Sequence, residues 1–148
     1  MGIGYDAKVM FYNSTGGEMG NPLIWYGREL DHVRVELNKK IQVSAMGTTE
    51  TSTCTVKMYD STLENVAAGP AEWKEDPEGK ILFQPGTLFV ITRKDDIGRN
   101  VELPSGKIPN SEYPSGFLTY LQKNFGMVYK ATSAEHYSLI PHWVVSGS

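Results

Sequence analysis

The most regular stretch of the chain runs from His32 to Leu37, where Val33, Val35 and Leu37 alternate with His32, Arg34 and Glu36. Strict period two predicts a half-buried strand, with the valines and Leu37 inward and the charged residues outward. Weaker alternation marks Ala7 to Tyr12, with Val9 and Phe11 sharing a face. Leu23 to Tyr26 is a short apolar strand that Gly27 ends, and Asn38-Lys39-Lys40 forms a turn before Ile41, Val43 and Ala45 resume the pattern. The threonine-rich segment Gly47 to Thr55 favours extended backbone and leads into Cys54, Val56 and Met58 on one face. Short turns between successive strands predict antiparallel pairing.

Two continuous apolar runs, Ile81-Leu82-Phe83 and Leu88-Phe89-Val90-Ile91, flank Pro85-Gly86. Proline presets φ at the first position of such a turn and glycine takes the positive φ of the second, so this is a hairpin or a tight corner. Runs without alternation imply burial on both faces, which puts the pair at the middle of a barrel or sandwich. Ser115 to Asn124 is the helix candidate: Phe117, Leu118, Leu121 and Phe125 have helical spacing, and Gly126 terminates it. Met127 to Thr132 and Leu139 to Val145 read as two closing strands. Residues 60–79 and 93–116 are rich in charges and breakers and read as long loops, the second with room for one short strand near Asn100 to Leu103. The expectation is a single mainly β domain over residues 1–148, an antiparallel β-barrel or sandwich of about eight strands with one short helix and two long loops.

Composition narrows the function. At 148 residues the chain is long enough to bury a core without staples. A net charge of −3 offers no broad basic face for phosphate neutralisation. The single cysteine, Cys54, excludes an intrachain disulfide and lies in a strand pattern that expects a buried thiol. No apolar run of about 18 residues occurs, and Met1 to Lys8 lacks a signal-peptide core, so a soluble, cytoplasmically assembled protein is expected.

Reactive patterns are sparse. Ser105 and Ser115 follow proline in loops and lack a nucleophile elbow. His32, His136 and His142 have no zinc-ligand spacing, although His136 and His142 could meet a carboxylate in space. Asp95-Asp96 and Glu75-Asp76 are adjacent loop carboxylates, and the glycines form no phosphate loop. The chain is therefore not expected to be an enzyme, and no catalytic, cofactor or metal residue is assigned. Sixteen aromatics, Trp25, Trp73 and Trp143 among them, could stack bases on an oligonucleotide-binding barrel. Without interleaved basic residues, packing and protein interfaces are the expected uses.

Three stretches carry a likeness. The ending Gly126 to Gly147, with Val128-Tyr129 and then Pro141-His142-Trp143-Val144-Val145-Ser146-Gly147, resembles that of small phage minor capsid proteins. The turn Gln84-Pro85-Gly86 before Thr87-Leu88-Phe89-Val90 is similar to the group's Pro-Gly turn, and Leu30 to Glu36 to its first alternating strand. The chain is longer than the group, and residues 93–116 have no counterpart in it.

The resemblance implies a head-completion or stopper protein of the head-to-tail connector in long-tailed bacterial viruses. Such a protein is a β-barrel in a homo-oligomeric ring, sixfold or twelvefold, at the virion neck. Portal or adaptor protein would lie above and tail proteins below, with packaged double-stranded DNA in the channel and no sequence-specific binding or membrane contact. A loop from each copy would converge on the axis, and here that part falls to residues 93–116, with Arg93, Lys94, Asp95, Asp96 and Arg99 as its charged members. Trp73, Phe117 and Tyr120 are the candidate subunit contacts. Alternatives are a tail-terminator, tail-tube or capsid-associated structural protein, and then an oligonucleotide-binding barrel.

Overall fold

A computed structural model describes residues 7–17, 20, 22–44, 47–92, 102–125, 128–139 and 141–148, with backbone alone over 38–52. The strands are β1 (Ala7–Thr15), β2 (Ile24–Ser44), β3 (Gly47–Tyr59), β4 (Leu88–Ile91), β5 (Gly106–Pro109), β6 (Tyr129–Tyr137) and β7 (His142–Gly147). Two helices, α1 (Pro70–Glu75) and α2 (Phe117–Phe125), and a 3-10 turn (Asn110–Glu112) complete the described elements. Neighbouring strands run β1-β4-β6-β7-β3-β2, and β2 also pairs with β1, so six antiparallel strands close into a barrel with β5 added outside. The mainly β expectation holds, as a barrel.

β2 is the element on which closure turns. Its first part pairs with β1, from Thr15 opposite Ile24 to Ala7 opposite Val33. From Arg34 onward it pairs with β3 instead. At the change of partner β2 takes three steps from Leu30 to Val33 while β1 takes two from Val9 to Ala7, and His32 sits at φ 55. A residue inserted into one strand bends that strand and sharpens its twist, which lets one continuous strand form two walls of a small barrel.

The single β2 corrects three sequence expectations. Gly27 does not end a strand; it lies opposite Tyr12, and a Cβ there would stand 2.6 Å from that ring. The glycine makes room for the tyrosine. Asn38-Lys39-Lys40 is ladder, not turn, paired with Thr53, Ser52 and Thr51. Leu37 is 60% exposed because it lies where β2 leaves the barrel, beyond the core that Val33 still enters.

The barrel interior packs Val9 and Phe11 from β1 with Leu30, Val33, Cys54, Val56, Met58, Phe89, Tyr129 and Val145. The opposite faces of β1 and β4 present Met10, Tyr12, Leu88 and Val90 to α2, which covers them with Phe117 and Leu121. β1 and β4 are thus buried on both sides, as the unbroken apolar run Leu88 to Val90 requires. Each fully buried side chain of this size contributes about 1.5–3 kcal/mol, so α2 belongs to the core.

Ile81 to Phe83 is buried but does not form a hairpin with β4. Ile81 makes one parallel bridge to Ala67, and Pro85-Gly86 turns a corner, with Gly86 at φ 97. Lacking a ladder, Leu82 is held by the buried side chain of Asn13. Its N–H donates to Asn13 Oδ1 at 3.0 Å, and its carbonyl accepts from Asn13 Nδ2 at 2.8 Å. Thr87 Oγ1 closes the network on the same carbonyl at 3.1 Å.

The closing strands differ from the expectation in extent. β6 continues to Tyr137 through residues read as a loop, and β7 begins at His142. In the loop 60–79 the chain forms turns and then α1. Among the described residues of 93–116, β5 is the strand and the 3-10 turn follows it; Asn100 and Val101 of the expected strand lie outside the described residues.

Asn13→Ala leaves the Leu82 N–H buried without an acceptor. It is expected to lower stability by about 2–3 kcal/mol, read as a lower denaturation midpoint at constant slope. A midpoint equal to wild type would show that the network contributes nothing.

Candidate functional site

Reactive groups are few and placed as braces. His136 Nε2 lies 3.0 and 2.9 Å from the two carboxylate oxygens of Asp60, and its ring packs on Trp143 with centroids 5.2 Å apart. This ties the first of the turns after β3 to β6. His142 does not join His136 around a carboxylate; it stacks on Tyr137 at 5.0 Å and 12°. Among the described residues, no group of three His, Cys, Asp or Glu could hold a metal ion. No helix among them is long and apolar enough to cross a membrane.

A groove of about 590 Å³ beside β5 mixes charges, with Lys8 and Arg28 against Glu29, Glu78 and Glu102. Opposed signs at one site cancel the field that would concentrate an anion. Cys54 is completely buried, and burial alone pushes its thiol up to about 12.

The features with spare bonding capacity are surfaces. β3 leaves β7 at Cys54, opposite Gly147. Beyond that point β2 and β3 pair only with each other, from Asn38 opposite Thr53 to Ser44 opposite Gly47. Seven residues at about 3.4 Å each give a two-stranded arm about 24 Å long. Among the described residues nothing pairs with either of its outer edges. At its root Leu37 is exposed, and Glu36 links Arg34 at 3.2 Å to Lys57 at 3.3 Å.

A second surface is a groove of about 320 Å³ along α2, between Tyr113-Pro114 and Thr119, Tyr120 and Lys123. Its walls are fixed by Asn110, whose Oδ1 accepts the Phe117 N–H at 2.8 Å and Trp25 Nε1–H at 3.3 Å. Tyr113 lies against Tyr120 with ring centroids 4.6 Å apart. A third is the turn between β6 and β7, which carries Leu139 at 97% exposure.

The sequence-derived contact candidates divide accordingly. Phe117 is fully enclosed and Trp73 is 4% exposed, with Trp73 edge-on to Tyr26 at 5.9 Å. Both spend their apolar surface inside the protomer, so neither can meet a partner without unpacking it. Tyr120 is half-buried and lines the α2 groove. Arg93, Lys94, Asp95, Asp96 and Arg99 lie outside the described residues. Sequence reasoning missed the arm because its polar, threonine-rich strands resemble two short hairpins. Leu139 opens the expected strand Leu139 to Val145, although it precedes a proline two positions on, which favours a turn.

Compared with protein-family models, with curated proteins and with solved structures, the chain matches none.

Cys54 supplies a check on the closed interior. In the folded protein a thiol reagent at pH 8 is expected to react no faster than the chain unfolds; rapid labelling would mean an open barrel. Because the unfolded thiol ionises near its ordinary 9.0 and the folded one near 12, its contribution to stability is complete below pH 9. That contribution is lost as pH rises towards 12.

Proposed function

We propose that the chain is a structural virion protein, a ring-forming subunit of the phage neck that completes the head and retains packaged DNA between portal-adaptor and tail. The observation that carries this reading is the β2–β3 arm. A two-stranded ribbon is at best marginally stable alone, and open edges are a template for pairing with another chain. A barrel that closes its own edges but extends such a ribbon supports a role in which other subunits cover it. Heterologous contacts of this kind build rings when the rotation closes.

The stretches that carry the likeness to phage minor capsid proteins agree with one another in placement. Leu30 to Glu36 is the bend of β2, Gln84 to Val90 the corner and β4, and Pro141 to Gly147 the turn and β7. All three lie in the barrel wall, where a shared architecture would leave its trace. A net charge of −3 suits a channel that lets DNA pass without gripping phosphates. Of residues 93–116, the expected channel segment, Leu103 and Pro104 pack on the protomer and Gly106 to Gly116 is taken up by β5, the 3-10 turn and the approach to α2, so the part proposed for the channel is its charged stretch, Arg93, Lys94, Asp95, Asp96 and Arg99.

Imaging tests the position directly: labelled chain should lie between head and tail, and label along the tail or over the capsid would overturn the neck assignment. Replacing residues 40–51 by Asn-Gly joins Lys39 to Ser52, which are already opposite each other. The expected result is a folded chain that keeps its Tm within a few degrees, about 1 kcal/mol or less, but fails to enter particles. Normal incorporation would remove the arm from the argument. Exchanging residues 94–100 for a glycine-serine linker spares β5 and should give assembled heads that lose DNA. Heads that stay full would detach this segment from retention.

A further inference from the structure

Leu139 stands 97% exposed between β6 and β7. At the strand ends on either side of it Tyr137 stacks on His142, the Tyr137 hydroxyl donates to the Glu135 carboxylate at 2.7 Å, and the Asp60 N–H donates to the Pro141 carbonyl at 3.1 Å. A lone surface leucine is ordinary; one at 97% exposure has nearly its whole side chain left to bury in a contact. At that exposure it does not reach the α2 groove of its own chain.

That groove complements it. Its walls are the rings of Tyr113 and Tyr120 with Pro114, and its volume of about 320 Å³ exceeds a leucine side chain. Lys123 is the one charged residue among those lining it. Across the turn, residues 135–142 carry one carboxylate, Glu135. Knob and hole, acid and base, thus sit on different parts of one chain.

We propose that a second copy of this chain is the occupant: Leu139 of one protomer enters the α2 groove of the next, with Glu135 facing Lys123. Because the two patches differ, the contact is heterologous and repeats around a ring or along a filament. It deepens the ring-subunit reading, on which it rests for closure alone.

Sedimentation of the full chain over a concentration series tests it with two variants, Leu139→Asp and Thr119→Arg. Both positions are exposed, so unchanged Tm confirms that each folds. Wild type should self-associate, and each variant should do so about tenfold more weakly or worse, as expected for a lost leucine burial. Mixed in equal amounts, the variants should form one heterodimer and nothing larger, because intact tip and intact groove meet once. Variants that assemble like wild type, a mixture that stays monomeric, or a wild type that is monomeric to millimolar concentration would each overturn the contact. None of these would touch the neck assignment, which the imaging of virions decides separately.

Discussion

The fold depends on one backbone event, the bend of β2 at Asp31-His32. A strand that kept a single partner would leave β1 and β3 unlinked and the sheet open along two edges. By inserting a residue and placing His32 in the left-handed region, β2 transfers its pairing from β1 to β3 and the sheet closes. An L residue in that region costs on the order of 1–2 kcal/mol, and the two ladders and the interior they enclose offset it. Among the described residues, closure between β4 and β6 shows two ladder pairs, Leu88 with Lys130 and Phe89 with Tyr129. Bonds of the Gly86 N–H to the Ala131 carbonyl and of the Ala131 N–H to the Thr87 carbonyl, both 2.8 Å, extend that seam.

Much of this was legible in the residues because burial writes a periodic record. Val9 and Phe11 share a face as their spacing requires, Leu88 to Val90 is buried on both sides, and Phe117 and Leu121 lie on the buried face of α2. The errors arise where tertiary partners decide. Gly27 carries the signal of a terminator, and only the ring of Tyr12 across the ladder explains its presence inside a strand. Leu37 continues an inward pattern by sequence, yet inward ceases to have meaning once the strand runs past the core. Asn38-Lys39-Lys40 has turn composition, but its backbone is set by the ladder to Thr53, Ser52 and Thr51, which no local signal announces.

The contact candidates divide by burial in an instructive way. Trp73 and Phe117 were singled out as large aromatics in or beside long loops, and aromatic side chains serve core and interface through the same buried area. Sequence alone does not separate the two uses. Tyr120, three positions from Phe117 on α2, keeps part of its ring at the surface, because the helix stripe that packs on β1 and β4 is narrower than its apolar sequence.

The proposed assembly surfaces are mechanically linked through the barrel. The α2 groove is carried on the outer faces of β1 and β4, and the Leu139 turn is carried by β6 and β7. Between them lies the short β4–β6 seam. In any heterologous assembly the angle between the two patches sets the rotation from one copy to the next, and packed interiors transmit such an angle stiffly. Among the described residues the β1–β2 ladder is the longest in the wall and the β4–β6 seam the shortest, so a change in rotation between copies in the proposed assembly has its least costly route at this seam. A protomer built this way can keep its core while its neighbours adjust their packing. That is the mechanical requirement on a ring that must seat against one structure on each side.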